Sequence, residues 1–140
     1  MHLSENIIKN IREICENIHG IIALYLHGSF AAGKPTPLSD IDLAILLDDS
    51  IPQNRYLEKA LSLEDLFCSQ MPDHNFDVRI INHAPILVQG NIITDGRLLF
   101  CSDEEKLADF QERVILPYLD FKIDYDRLIS EIYNSHIHDR

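Results

Sequence analysis

The sequence predicts a mixed α/β fold in which a small central mixed β-sheet is flanked by helices. Segments with apolar residues at helical spacing alternate with short runs of apolar and β-branched residues. They follow the order α-β-β-α-β-α-β-α, with no internal repeat, low-complexity run or linker. A chain of 140 residues with 46% hydrophobic content fits one compact domain spanning residues 1–140.

The first half of the chain contains a predicted helix followed by a buried strand. Helical spacing predicts a helix from about residue 5 to 18, with Ser4 as its N-cap and Gly20 as its stop. The next segment, "IIALYL" (21–26), is short and nearly all apolar, as expected for a strand covered on both faces. This strand therefore ends in a glycine turn, "HGS" (27–29).

The remaining elements follow from the same rules. "FAAGK" (30–34) is compatible with a short helix, but Pro35 and Pro37 prevent regular structure before the strand "DIDLAILL" (40–47). A helical segment over 57–67 leads to a third strand, "FDVRII" (76–81). A short helix near Gly90, an edge-like strand within "TDGRLLFCS" (94–102) and a helix from Asp103, ended or kinked at Pro117, complete the prediction.

Charge and composition exclude several classes of function. The net charge is −11, and DNA or RNA binding depends on clusters of Lys and Arg, so we expect no nucleic-acid partner. The N-terminal residues lack a signal-peptide pattern and no run of about 18 apolar residues occurs, which predicts a cytoplasmic protein with no membrane partner. Cys15, Cys68 and Cys101 lack metal-binding spacing and are expected to be reduced thiols.

Two aspartates begin the second predicted strand, although aspartate is depleted from strands. Side chains alternate along a strand, so Asp40 and Asp42 are expected on one face, roughly 6 to 7 Å apart along the chain. Like charges at that spacing are unfavourable unless a cation lies between them. Hard carboxylate oxygens suit Mg²⁺, which takes substrate phosphates as further ligands.

A third carboxylate, Asp77, lies in the third predicted strand. Phe76, Val78 and Ile80 alternate there with Asp77 and Arg79, which places the two charged residues on the opposite face. If this strand neighbours the second one, at about 4.8 Å, all three aspartates converge. Three carboxylates are enough for a two-metal site that clamps the attacking and leaving oxygens of a phosphoryl transfer.

The glycine turn supplies a second half for such a site. A glycine after a buried strand lets the backbone approach a ligand closely, and the N–H groups of the turn favour an anionic oxygen. Gly28 and Ser29 are therefore predicted to hold a phosphate. The pair alone is a weak signal, but Gly-Ser, ten residues and then Asp-x-Asp form a much more specific pattern.

The stretch "GSFAAGKPTPLSDID" (28–42) resembles the signature of the DNA polymerase beta-like nucleotidyltransferases, and the whole chain is similar to their minimal prokaryotic form. The resemblance implies that Gly28 and Ser29 bind the nucleotide and that Asp40, Asp42 and Asp77 are catalytic metal ligands for Mg²⁺. It further implies ATP as substrate, and a HEPN-domain ribonuclease toxin as partner, whose tyrosine receives AMP. Such a chain is an antitoxin that forms a hetero-oligomer with its toxin.

Each candidate residue also has a structural interpretation. Asp40 and Asp42 could be solvated residues at a strand edge, and Asp77 could be a surface carboxylate paired with Arg79 or another base. Lys34 and Arg79 are either phosphate ligands or solvent-facing cations, and His27 is interpreted mainly as a packing residue at a strand end. His136 and His138 are interpreted as part of a solvated tail.

Three classes of function remain open at this point. The chain could modify a protein hydroxyl, modify a small molecule as antibiotic-inactivating nucleotidyltransferases do, or bind a partner without catalysis. The three aspartates favour an enzyme. A small acceptor usually needs a second domain or lid to enclose it, so we expect a large acceptor.

Overall fold

The computed structural model of the chain describes residues 3–33, 35 and 39–138. Five helices, four strands and one 3₁₀ turn are assigned in that part of the chain. The helices are α1 (Glu5–Glu16), α2 (Gly28–Ala31), α3 (Tyr56–Gln70), α4 (Ile86–Asp95) and α5 (Glu104–His138). The strands are β1 (Ile21–His27), β2 (Ile41–Leu47), β3 (Phe76–Ile80) and β4 (Arg97–Cys101), and the 3₁₀ turn, Gln53–Arg55, precedes α3.

The four strands form one mixed sheet with the order β3-β2-β1-β4. β1 is antiparallel to both of its neighbours, β2 and β4, whereas β2 and β3 run parallel. β4 lies at an edge, as predicted, and β3 is the direct neighbour of β2. The mixed α/β prediction, with a small mixed sheet flanked by helices, is therefore confirmed.

Helices cover both faces of the sheet and divide the core in two. On one face, Leu24 and Leu43 pack in a cluster with Ile11 of α1 and Phe67 of α3. On the other face, alternating strand residues pack in a cluster with α4 and α5, whose buried members include Ile92, Leu107, Phe110, Val114 and Tyr118. Because successive side chains alternate between faces, the even-numbered positions of β2 point toward α4 and α5.

Several predicted boundaries differ from the observed ones by one to a few residues. α1 ends at Glu16 rather than 18, and the Asn17 side chain donates a hydrogen bond to the Glu13 carbonyl, 2.9 Å away, at the point where it ends. β2 begins at Ile41, so Asp40 stands just outside the strand, and β3 ends at Ile80. The Ser4 hydroxyl accepts a hydrogen bond from the Ile7 N–H at 3.3 Å, which confirms the predicted N-cap.

Pro117 was predicted to end or kink the last helix. It does not end the helix, because α5 continues through this residue to His138. Proline removes one helical hydrogen bond. Val114 and Tyr118 on either side of it are buried, 3% and 1% exposed, so packing holds the helix in place across the proline.

The three cysteines were predicted to be reduced thiols. All three cysteines are free thiols; Cys15 is buried, and burial raises the pKa of its thiol to about 12. A thiol with such a pKa is protonated at neutral pH and a poor nucleophile. Among the described residues, no helix combines the length and the apolar character needed to cross a bilayer.

The contact between Gly90 and Tyr118 joins α4 to α5. A Cβ atom at Gly90 would overlap the Tyr118 ring, so the two helices approach closely only because residue 90 has no side chain. The Tyr118 hydroxyl also donates a hydrogen bond to Oδ1 of Asn91 at 2.7 Å. This contact therefore sets how closely α5 packs against α4.

Gly90→Ala is expected to lower the free energy of unfolding by about 1–3 kcal/mol through this overlap. Helix propensity alone would favour alanine by about 1 kcal/mol. Urea denaturation of Gly90→Ala with Tyr118 intact, and in a Tyr118→Leu background, checks the cause. The loss should shrink or reverse when the ring is absent, and an equal loss in both backgrounds would contradict this explanation.

Candidate active site

Asp42 and Asp77 lie side by side on neighbouring strands. Asp42 is the second residue of β2, and the parallel register pairs it directly with Asp77 of β3. Both side chains are half-buried and belong to the sheet face that α4 and α5 cover. Paired residues on neighbouring strands are about 4.8 Å apart, so two carboxylates share one small region.

Asp40 contributes to this region from outside the sheet. It precedes β2 by one residue and is exposed, yet its charge raises the pKa of the Asp42 carboxyl. The structure therefore brings Asp42 and Asp77 together as neighbours, with Asp40 close by. Within the described residues, no three Asp, Glu, His or Cys side chains are already gathered closely enough to enclose a metal ion.

Gly28 lies directly against the side chain of Asp42. It opens α2 with φ +73°, a conformation that favours glycine, and a Cβ atom there would overlap the Asp42 side chain. The predicted glycine turn is thus in direct contact with the predicted metal ligand. Ser29 is the second residue of α2, and its side chain lies outside what the structure describes.

The electrostatics of Asp42 reflect several charges at short range. Burial raises the pKa of its carboxyl most, His27 lowers it, and the neighbouring Asp77 and Asp40 raise it further. Arg79 lowers it, but its effect is the smallest. The negative charge at this position is therefore only partly compensated by protein groups.

His27, interpreted from the sequence mainly as a packing residue, lies beside the candidate carboxylates. It is the antiparallel partner of Asp42, and its Nε2 atom is buried without a hydrogen-bond partner among the described residues. Burial is the main reason that the pKa of its imidazole is lowered. A neutral ring with a free polar atom thus stands beside the carboxylates. Its position was visible only once the β1–β2 register was known.

A surface cavity of about 270 Å³ lies at His27 and Gly28, and none of Asp40, Asp42 and Asp77 lines it. It is lined by His27 and Gly28 on one side and by Asn91 and Asp95 of α4 on the other. The two α4 residues were not candidates from the sequence, because no motif links them to the glycine turn. Two larger cavities of about 490 and 630 Å³ lie around Asp48 and Lys106, at the far end of β2, away from Asp42.

The two candidate phosphate-binding cations have different outcomes. Arg79 is exposed on the same sheet face as Asp77, and no ion pair joins these two residues in the described part of the chain. Pairing with Arg79 therefore does not explain Asp77. Lys34, like the side chains of His136 and His138, lies outside the described residues.

The donor chemistry of this region fits a divalent cation. Asp40, Asp42 and Asp77 offer hard oxygen ligands, which Mg²⁺ prefers, and their mutual repulsion is what a cation would relieve. Asp42 and Asp77 already occupy adjacent positions on rigid strands.

Asp42→Asn is expected to stabilise the fold at neutral pH in the absence of metal. The pKa of the folded carboxyl lies above its unfolded value, so the wild type loses stability as pH rises through that interval. The variant lacks this loss. Thermal melts in EDTA between pH 3 and 8 check the sign of this effect. The melting temperatures of the two proteins should be similar at acid pH, and that of the variant should be the higher one toward neutral pH. If the wild type instead became more stable relative to the variant as pH rises, the raised pKa of Asp42 would be contradicted.

Relatives of known name match most of the chain. The protein adenylyltransferase MntA of Shewanella oneidensis is 25% identical over 130 residues, covering 93% of this chain and 88% of the relative. A solved toxin-antitoxin structure with AMP-PNP matches with a TM-score of 0.63 and 24% identity, covering 94% of this chain and 99% of that one. The Shewanella oneidensis tri-AMPylated HEPN toxin in complex with MNT antitoxin matches with a TM-score of 0.61 and 22% identity, covering 91% and 96%.

A family model supplies the assignment. The polymerase beta nucleotidyltransferase model matches residues 9–105, a span that includes all four strands and every candidate site residue. The mixed sheet, the glycine turn against Asp42 and the paired aspartates occupy that same span. The chain belongs to the polymerase beta nucleotidyltransferase family.

Proposed function

We propose that this chain is a Mg²⁺-dependent protein adenylyltransferase that transfers AMP from ATP to a tyrosine hydroxyl of a HEPN-domain ribonuclease toxin. It would act as the antitoxin in the cytoplasm, as one nucleotidyltransferase domain over residues 1–140. The observation that carries the proposal is the direct pairing of Asp42 with Asp77 beside Gly28.

The roles of the site residues follow from their positions. Gly28 and Ser29 would hold the triphosphate, since Gly28 leaves room for close approach beside Asp42. Asp40, Asp42 and Asp77 would hold Mg²⁺, which when bound neutralises charge on the attacking and leaving oxygens. His27, with its free buried nitrogen, offers a hydrogen bond at the edge of the same site.

The transfer step uses the carboxylate of Asp77 as a proton acceptor. The tyrosine oxygen attacks the α-phosphorus of ATP, the bond to the bridging oxygen breaks, and pyrophosphate leaves. The hydroxyl proton passes to Asp77, which is half-buried and next to Asp42. The added phosphodiester places negative charge on the toxin, which opposes the binding of RNA phosphates.

The named relatives support ATP as the donor and a HEPN-domain toxin as the acceptor. The curated relative is named a protein adenylyltransferase, and one similar structure is a toxin-antitoxin with AMP-PNP, an ATP analogue. Another contains a tri-AMPylated HEPN toxin with its MNT antitoxin. The charge of this chain, −11, agrees with a basic partner such as a ribonuclease.

Two other functions are distinguishable from this one. A small-molecule nucleotidyltransferase would transfer AMP without a protein acceptor, whereas an idle antitoxin would silence its toxin by binding alone. The partly exposed site at the sheet edge favours an acceptor whose own surface completes it and excludes water.

Co-expression with the HEPN-domain protein, followed by intact-mass analysis of that protein, tests the proposal. The wild type should add one or more AMP units, and Asp77→Asn should reduce the modified fraction at least a hundredfold because the proton acceptor is lost. Asp65→Asn is the matched control: Asp65 is exposed on α3, behind the opposite face of the sheet.

The alternatives give different outcomes in the same experiment. A silenced toxin with no mass change, equally with wild type and Asp42→Asn, would show inhibition by binding alone. Transfer of AMP to small hydroxyl compounds, with none to the protein, would show a small-molecule enzyme.

A further inference from the structure

The C-terminal part of α5 extends beyond the folded body. α5 contains 35 residues, a length of about 52 Å at 1.5 Å per residue. Its first half packs on the sheet and on α4, but every side chain over 119–135 is exposed. We call this segment, 119–135, the arm. The body therefore leaves about 25 Å of helix without a covering element.

The arm continues the apolar face that the first half of α5 buries. Leu107, Val114 and Tyr118 are the core positions of the helix, and spacings of three, four and seven residues return to one face. The same spacing continues along the arm through four large apolar side chains, 44–53% exposed. This stripe consists of Phe121, Tyr125, Leu128 and Ile132.

The stripe has the pattern of a helix-pairing surface. Apolar residues at alternating intervals of four and three residues place a continuous seam on one side of a helix. The rings of Phe121 and Tyr125 stack along this seam, with centroids 6.3 Å apart and planes 13° apart. A helix that is left free in water does not need such a seam, so the arm is suited to pairing with another helix.

Charge decides between a second copy and a different protein. Asp124 and Glu131 flank the stripe on one side, and residues 119–135 hold four carboxylates against two cations. Two copies would bring acidic arms together on chains that each carry −11. A helix with basic residues beside its apolar seam would instead pair favourably with Asp124 and Glu131.

The arm leaves the body beside the candidate site. Tyr118, the last core residue before the arm, donates to Asn91, and Lys122 lies over the Tyr118 ring, 5.7 Å from its centroid. Asn91 lines the cavity that His27 and Gly28 share. A protein held on the arm is thus held near the end of the sheet that carries His27 and Gly28.

We infer that the arm is the docking element for the acceptor protein and takes a helix of that protein with basic flanks against its apolar stripe. The inference rests on the proposed function for the identity of the acceptor. By docking the acceptor, the arm would raise the local concentration of its hydroxyl near Asp42 and Asp77. This function is separate from the chemistry of AMP transfer.

Calorimetric binding of the HEPN-domain protein, in the absence of ATP, tests the docking role. Leu128→Asp places a charge in the stripe and should weaken binding at least tenfold. Ile123→Asp is the matched control: Ile123 is 56% exposed on the opposite side of the arm, so its binding should stay within twofold of wild type. Ile132→Asp, a second stripe variant, should repeat the loss. Circular dichroism and ATP binding should be unchanged in all three variants.

Two other results would overturn the inference. If both stripe variants bind as tightly as wild type, the inference is overturned. If light scattering of the isolated chain shows a dimer that Leu128→Asp dissociates and Ile123→Asp does not, the occupant is a second copy and the inference is also overturned. Because the assay contains no ATP, wild-type binding without AMP transfer in the mass experiment contradicts the proposed function alone and leaves the docking role standing.

Discussion

The parallel pairing of β2 with β3 is the constraint on which the site depends. In this register Asp42 stands directly opposite Asp77, and a shift of one residue would move Asp77 to the other face of the sheet. The register is held by the apolar neighbours Leu43 and Val78, which pack against α1 and α3. Burial on one face thus sets the position of the charges on the other.

The remaining parts of the site attach to this pair through β1. Its antiparallel register brings His27 beside Asp42, and the next residue, Gly28, turns the chain within contact distance of the same carboxylate. The turn proposed to bind phosphate and the aspartates proposed to bind Mg²⁺ are therefore close because β1 and β2 are neighbours. Three neighbouring strands and the turn after β1 thus position His27, Gly28, Asp42 and Asp77 together.

Much of this arrangement was predictable from local sequence. Period-two alternation placed Asp42 on a strand face, and the Gly28–Asp42 spacing identified the family's signature. The parts that were missed depend on tertiary contacts. The position of His27 beside Asp42 depends on the β1–β2 register, and the position of α4 depends on the contact between Gly90 and Tyr118. Pro117 does not end α5, because packing outweighs its local preference.

The proposed function requires that Asp42 and Asp77 form a metal-dependent nucleotide site. Calorimetric titration of ATP with Mg²⁺ and with EDTA, on wild type and Asp42→Asn, tests it most directly. We expect wild type to bind ATP at least tenfold more tightly with Mg²⁺ than in EDTA, and Asp42→Asn to lose this difference. Equal affinity of the wild type in Mg²⁺ and in EDTA would contradict it.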